Sequence, residues 1–205
     1  MRFLSSFFSD ESGAVAEFAL VLPVAIIGLF GIIDGGRLMW EVNQAEKATQ
    51  LGARYAVVTD IVASDLGSYS FAVSGGIPQG TVVPISSFER ITCASSGGNV
   101  GCSCPNGAPC GFGSTADSTA FQRIVDRMQT IMPAIQPDNV VVDYSWSGLG
   151  FSGDPNGPDV APIVTVRLVG MEFQPVTFVA FGGSVSLPAA DYSLTLEDGQ
   201  GTESF

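Results

Sequence analysis

The sequence predicts an α+β protein, with a long N-terminal transmembrane and stalk helix followed by a small domain that has one further helix and an antiparallel sheet. The first observation is an apolar run without any charge from Phe18 to Ile33, which is typical of a membrane-spanning helix. Helical spacing of apolar residues then continues beyond this run, and after about residue 59 the composition changes to Gly, Ser, Pro and β-branched residues. A chain of 205 residues is long enough for one such domain and an anchor.

The composition argues against nucleic-acid binding and against catalysis. Twenty acidic residues against eight basic ones give a net charge of −12, and the basic residues are scattered, so they form no stripe that could neutralise phosphates. The chain has no histidine, which removes the usual general base and the imidazole metal ligand. We therefore predict a protein that is not an enzyme and that holds no cofactor or metal.

Residues 14–33 are predicted to cross a membrane, and residues 1–13 to form a leader-like cytoplasmic segment. Twenty helical residues span about 30 Å, which is the thickness of a hydrocarbon core. Within residues 1–13, Arg2 is offset by Asp10 and Glu11, unlike the positively charged head of a secretory signal. An exported envelope protein with a cleaved signal peptide is therefore a less favoured alternative.

Glu17 lies just inside the start of this apolar helix. A charged side chain at the centre of a bilayer costs at least about 2.5–3.5 kcal/mol, so intramembrane acids are rare and usually have a partner. Glu17 is therefore predicted to be a functional residue.

Residues 34–58 are predicted to form an amphipathic stalk helix that continues from the membrane. Apolar and small residues recur there at spacings of three and four, with polar side chains on the other faces. The apolar face carries Leu38, Val42, Ala45, Ala48, Leu51 or Gly52, and Tyr55. The simplest interpretation of the whole helix is a membrane anchor with a connecting stalk.

Three stretches of the sequence carry a resemblance to a known family. Residues 13–23, GAVAEFALVLP, look like a prepilin-type start, and residues 44–56 look like an Ala, Gly and Arg-rich helix that follows a membrane span. Residues 164–167 and 173–176 look like a late strand followed by a Phe-x-Pro turn. In these stretches the chain resembles the TadE-like minor pseudopilins of tight-adherence (Tad or Flp) type IV pilus systems.

The resemblance implies a processing site and an assembly site. A prepilin peptidase would cut between Gly13 and Ala14, and Glu17 with Phe18 would pair with an adjacent subunit. The implied partners are the prepilin peptidase, other minor pseudopilins, the major Flp pilin, the inner-membrane pilus platform and membrane lipid. The implied location is the bacterial inner membrane, with a single pass and a periplasmic C-terminal domain, and incorporation into the pilus is left open.

The spacing between the implied cut and the glutamate differs from the family pattern. In that pattern the glutamate is the fifth residue after the cut, whereas Glu17 is the fourth after Gly13. A cut after Ser12 restores the fifth position but puts serine where glycine is usual. The alternative function is an unprocessed, membrane-anchored structural component of a secretion system.

Residues 59–205 are predicted to form the extracytoplasmic α+β domain. A helix begins near Asp117 and Ser118, whose oxygens suit an N-cap, and ends before Pro133. Its apolar face carries Phe121, Ile124, Val125, Met128, Ile131 and Met132. The predicted strands are Val140–Trp146, Ile163–Val169, Met171–Phe181 and Val185–Leu196.

Four cysteines lie in a Gly-rich loop that is predicted to span residues 93–110. An even set in a loop, without histidine, favours disulfides and an oxidising compartment over a zinc site, which would normally use paired Cys-x-x-Cys ligands. Bonding Cys102 to Cys104 would close a very small, strained ring. The spacing leaves two pairings open: Cys93–Cys102 with Cys104–Cys110, or Cys93–Cys104 with Cys102–Cys110.

Two short motifs match metal-binding patterns without the context those patterns need. Residues 143–147 fit Asp-x-Ser-x-Ser, the metal-adhesion motif of von Willebrand A domains, but too little chain follows them for such a domain. Residues 154–159 contain oxygen ligands and a glycine, but lack the spacing and terminal glutamate of an EF-hand. We predict an alternating strand end at the first motif and a solvated turn at the second.

Overall fold

The computed structural model describes residues 11–105, 110–178 and 183–197. Residues 1–10 of the predicted leader therefore lie outside the described part of the chain. The chain divides into two compact units, one made of residues 1–41 and 172–186 and the other of residues 42–171 and 187–205.

The predicted N-terminal helix is present as one α-helix, α1, which runs without interruption over Glu11–Ala56. It begins three residues before the predicted membrane segment and ends two residues before the predicted end of the stalk. Pro23 lies inside it and cannot donate a backbone hydrogen bond. The predicted fold class, a long apolar helix followed by a small α+β domain, is confirmed.

The first unit combines the N-terminal part of α1 with a short strand pair. These strands are β5, Glu172–Phe173, and β6, Val185–Ser186, which pair antiparallel, and a 3-10 turn over Val176–Phe178 follows β5. The single strand predicted over Met171–Phe181 is therefore wrong. Pro175 has no N–H for a strand ladder, and the N–H groups of the next two residues are bound by a carboxylate instead. Residues 179–181 of that prediction lie outside the described residues.

The second unit contains a five-stranded antiparallel sheet. Its strands lie in the order β2 (Asn99–Ser103), β1 (Arg90–Ser96), β3 (Val140–Ser145), β4 (Ile163–Leu168) and β7 (Ala190–Thr195). Two of its strands confirm predictions to within one residue, namely β3 over Val140–Ser145 and β4 over Ile163–Leu168. The last strand, β7, covers Ala190–Thr195. The single strand predicted over Val185–Leu196 is wrong, because Pro188 separates β6 from β7 and strand interiors exclude proline.

A short helix and a hairpin of the second unit were not predicted. A short helix, α2, covers Ser64–Ser68, and a hairpin is formed by β1, Arg90–Ser96, and β2, Asn99–Ser103. The prediction of a loop over residues 93–110 is therefore wrong for its first part, which is hairpin. Two glycines with positive φ form the turn, at 58° for Gly97 and 81° for Gly98, as a tight hairpin turn requires.

The predicted second helix is present as α3, Ser118–Gln129. The Asp117 carboxylate caps it as predicted, accepting hydrogen bonds from the backbone N–H groups of Thr119 at 2.8 Å and Ala120 at 3.0 Å. The buried face of α3 is that of Ala120, Phe121, Ile124, Val125 and Met128. The helix ends four residues before Pro133, and a tighter turn follows it.

The C-terminal part of α1 belongs to the core of this second unit. Its buried residues are small, namely Ala45, Ala48, Thr49, Gly52, Ala53 and Ala56. A side chain on Gly52 would come within 2.8 Å of Met128 in α3 and 3.3 Å of Val166 in β4, so α1, α3 and the sheet meet at this glycine. Small residues allow such close approach, which explains the Ala and Gly content of this stretch.

Candidate functional site

The apolar part of α1 exposes its side chains on all faces. Large apolar residues between Val15 and Ile33 are between 39% and 76% exposed. The helix from Glu17 onward is long and apolar enough to cross a membrane. Such continuous apolar exposure is not stable in water, and it indicates that this surface is covered by lipid or by other apolar helices.

Glu17 is exposed on this apolar surface. No other side chain or backbone group among the described residues forms a hydrogen bond or ion pair with its carboxylate. The residues three, four and seven positions further along the helix, Leu20, Val21 and Val24, share its face and are strongly exposed. The carboxylate therefore sits at the head of an apolar stripe, and the described part of the chain offers it no counter-charge.

The residues at the predicted processing site, Gly13 and Ala14, belong to the first turns of α1. A peptidase acts on extended backbone far more readily than on helix, so cleavage at this site would require the first turn to open. Frayed helix ends supply such an opening at low cost.

Asp34 is the acidic residue at the other end of the apolar run, and it was not singled out from the sequence. Its carboxylate is buried, with 6% of the residue exposed. It accepts hydrogen bonds from the backbone N–H groups of Val176 at 2.8 Å and Thr177 at 2.9 Å, and from the Thr177 hydroxyl at 2.8 Å. These donors open the 3-10 turn Val176–Phe178, so Asp34 caps that turn from a different element of the chain.

Arg37 completes this cluster one turn further along α1. Its guanidinium lies 3.3 Å from the Asp34 carboxylate and 5.2 Å from the centre of the Phe173 ring. It also donates a long hydrogen bond, 3.5 Å, to the backbone carbonyl of Gln174. This cluster, which we call the helix-exit clamp, holds β5 and the 3-10 turn that follows it against α1. Its members are Asp34, Arg37, Phe173, Val176 and Thr177.

The four cysteines form two disulfides in the second unit. Cys93 is bonded to Cys102, its directly opposite residue in the β1–β2 hairpin, and Cys104 is bonded to Cys110. This is one of the two pairings that the spacing left open. All four thiols are therefore engaged, and none is left to bind zinc.

The two other motifs singled out from the sequence are structural in this fold. Asp143 lies in β3, as predicted, and its carboxylate is 2.6 Å from the Arg167 guanidinium. The solvated turn predicted over residues 154–159 is wrong at Asp159, which is buried and accepts hydrogen bonds from the N–H groups of Phe71 at 2.6 Å and Asp154 at 3.1 Å. Buried, paired carboxylates of this kind organise loops. In the described ranges, no group of three or more acidic or cysteine side chains is placed to hold a metal ion.

The comparison with protein families found a match over most of α1. Residues 12–54 match the family described as TadE-like protein, which suggests a component related to the Tad pilus. The matched region contains Gly13, Glu17, Asp34 and Arg37, and it ends within the stalk part of α1. No curated protein and no solved structure matches the chain.

Proposed function

We propose, from the TadE-like match over residues 12–54, that this protein is a minor pseudopilin that contributes to the assembly or initiation of a Tad/Flp pilus. The observation that carries the proposal is Glu17, an acid on an exposed apolar helix without a partner among the described residues. In this proposal the role is structural. The associated secretion or adhesion belongs to the assembled machine.

A counter-charge from a second subunit explains why an acid is placed there. An isolated carboxylate in hydrocarbon is strongly disfavoured, whereas a paired one is tolerated because the attraction offsets desolvation. The amino group created when a prepilin peptidase cuts a neighbouring subunit is a cation at the same depth of the membrane. Glu17 would accept that amino group, and the adjacent exposed Phe18 would pack against the neighbouring helix.

The remaining partners and the location follow from this role. The chain would be cut between Gly13 and Ala14, cross the inner membrane once, and place residues 59–205 in the periplasm. The two disulfides support this orientation, since disulfides form and persist in the periplasm and are rare in the cytoplasm. The proposed partners are other minor pseudopilins, the major Flp pilin and the inner-membrane platform.

The test is a Glu17→Gln variant, which removes the charge and keeps the size of the side chain. We expect unchanged membrane insertion, because a neutral side chain is easier to insert, and loss of copurification with the other pilins. Glu46→Gln is the matched control, since Glu46 is an exposed acid on the same helix, outside the apolar run. Membrane fractionation and affinity purification from solubilised membranes measure the two properties.

The contrast between the two variants decides the proposal. Copurification that is lost in Glu17→Gln and kept in Glu46→Gln supports a pairing role for Glu17. Equal copurification in both variants, together with normal pilus formation, contradicts it.

One observation favours a second function, that of an unprocessed membrane-anchored component of the same system. Measured from Gly13, Glu17 is the fourth residue and not the fifth, so a peptidase that reads this spacing would cut after Ser12 or not at all. The uncut chain would still be anchored by α1. The N-terminus of the protein isolated from membranes distinguishes the two functions.

A further inference from the structure

We propose that the segment beginning at Glu172 is a second membrane-contacting element, which lies in the lipid headgroup layer where α1 leaves the bilayer. The described residues of this edge segment are 172–178 and 183–186. The inference rests on the proposed membrane anchor, and it assigns to this segment a contact with lipid that the family match does not cover.

The helix-exit clamp lies where the apolar part of α1 ends. Apart from Glu17, residues 15–33 make an apolar stretch of about 28 Å, close to the thickness of the hydrocarbon core. Asp34, which directly follows Ile33, is therefore at the boundary of the core. Because Asp34 holds the N–H groups of Val176 and Thr177 directly, the start of the edge segment is at the same depth.

The sequence has no charged residue from Phe173 to Ala190, although the chain carries 28 charged side chains. Two of the apolar side chains are open to the surroundings, Val176 at 41% and Val185 at 40% exposure. From Phe173 onward the edge segment is uncharged and has exposed apolar side chains. Such a stretch, held at the edge of an apolar core, fits the boundary between headgroups and acyl chains.

Arg37 and Trp40 lie about 4.5 Å and 9 Å beyond Asp34 along the helix axis, within reach of the headgroup layer. Trp40 is 66% exposed, and exposed tryptophans are enriched at membrane interfaces. Arg37 keeps 43% of its side chain exposed while its charge is shared with Asp34, so it can also meet an anionic headgroup.

Asp34 supplies the acceptor that the backbone of the edge segment requires near lipid. The backbone N–H groups that open a turn cost free energy when they are buried near lipid without an acceptor. Asp34 satisfies two of them and the Thr177 hydroxyl, while Arg37 balances its charge. The helix-exit clamp thereby lets an irregular segment approach the membrane with its polar backbone groups bound.

The test uses the full chain in vesicles of phosphatidylcholine and phosphatidylglycerol, with an environment-sensitive fluorophore on one introduced cysteine. The native cysteines are all disulfide-bonded, so the new thiol is labelled alone. The reporters are Val176→Cys and Val185→Cys. Leu29→Cys reports insertion of α1, and Asp126→Cys, at an exposed and charged position of α3, reports a site in water.

Lipids that carry a quencher either near the headgroup or near the end of the acyl chain give the depth of each label. We expect labels at positions 176 and 185 to emit at shorter wavelength than the label at 126, and to be quenched severalfold more by the shallow lipid than by the deep one. Leu29→Cys should be quenched most by the deep lipid. Adding Asp34→Ala to the Val176→Cys chain should reduce the shallow quenching, because the segment is no longer held.

The outcomes separate this inference from the membrane anchor. Labels at 176 and 185 that behave like the one at 126, while Leu29→Cys is quenched by the deep lipid, overturn the inference and leave the anchor standing. A Leu29→Cys chain that neither lipid quenches overturns both.

Discussion

Two carboxylates delimit the apolar run of α1, and their surroundings differ. Asp34 receives three hydrogen bonds and an ion pair from residues of its own chain. Glu17 has no such partner among the described residues, and it faces exposed apolar side chains. The first acid is therefore satisfied within the molecule. The second is the one for which we expect a partner from another subunit.

A third carboxylate, that of Asp138, predicts a pH dependence of stability. It accepts hydrogen bonds from the Ser95 hydroxyl and from the N–H groups of Gly97 at 2.9 Å and Gly98 at 3.4 Å, which lowers its pKa below the ordinary value of 3.8. Since the folded pKa lies below the unfolded one, this contribution is complete above about pH 4 and is lost as the pH falls through the folded value. Asp138→Asn should therefore lower the Tm at neutral pH, and its difference from the wild type should shrink below pH 4.

Thermal unfolding of the solubilised full chain, followed by the fluorescence of its two tryptophans, Trp40 and Trp146, measures this effect. Trp146 belongs to the same unit, and its indole N–H donates to the Val83 carbonyl at 2.8 Å. Glu89→Gln controls for the loss of one charge, because the exposed Glu89 carboxylate forms no side-chain hydrogen bond among the described residues, while its backbone carbonyl still accepts from the Trp146 N–H. A difference between Asp138→Asn and wild type that stays constant down to pH 3 would contradict the account.

Single residues were the hardest feature to predict from the sequence. Glu17 stood out because a charge in an apolar run is a local anomaly. The roles of Asp34 and Asp159 were not predicted, because they depend on donors 142 and 88 residues away along the chain. Asp34 does carry one local signal, its position directly after the last apolar residue of the span.

At the scale of elements, the disulfides predict which thiol is released when one cysteine is replaced. Cys93 and Cys102 are opposite residues of the β1–β2 hairpin, so Cys93→Ser should free Cys102 and leave Cys104–Cys110 oxidised. Alkylation of the folded variant without reductant, followed by fragment mass spectrometry, locates the free thiol. Loss of the bridge should also lower the free energy of unfolding by about 2–3 kcal/mol, which is the loop-entropy contribution expected for a loop of this length.

The other pairing predicts a different product. If Cys93 were bonded to Cys104, the same substitution would free the Cys104 thiol, and Cys104 would be the alkylated residue. Cys110→Ser is the matched control, and it should free Cys104 while the hairpin disulfide stays intact.

The elements that the sequence predicted correctly are those with local signals. The α3 helix was located by its Asp117 cap and its apolar face, and β3 and β4 by their β-branched runs. The β1–β2 hairpin was missed because cysteine, serine and glycine dilute its alternation. Its Gly97-Gly98 turn, typical of two-residue hairpin loops, was the signal that could have found it.

In residues 172–186 the sequence pattern predicted more strand than the structure has, because a contact with a residue far away in the chain overrides the strand propensity. Val176 and Thr177 have β-branched side chains, yet they form a 3-10 turn because Pro175 interrupts the ladder and Asp34 binds their N–H groups. A propensity argument cannot include an acceptor that lies 142 residues earlier.

At the scale of the whole molecule, the chain combines a helix built for an apolar environment with a disulfide-bonded unit. The exposed apolar side chains of α1 call for lipid or neighbouring helices, and the two disulfides suit an oxidising compartment. Residues 12–54, which match the TadE-like family, include the apolar segment and most of the stalk. A subunit inserted in the membrane and paired through Glu17 accounts for these properties together.

The N-terminus of the protein isolated from membranes is the sharpest test of whether this chain is a processed pseudopilin. Intact-mass measurement and N-terminal peptide mapping should be made on protein from cells with and without the prepilin peptidase. We expect a chain that starts at Ala14 when the peptidase is present, or at Gly13 if the cut follows Ser12, and a chain that keeps residues 1–12 when the peptidase is absent. A chain that keeps those residues in both cells, although the peptidase processes its other substrates, would contradict the pseudopilin proposal and favour the unprocessed anchor.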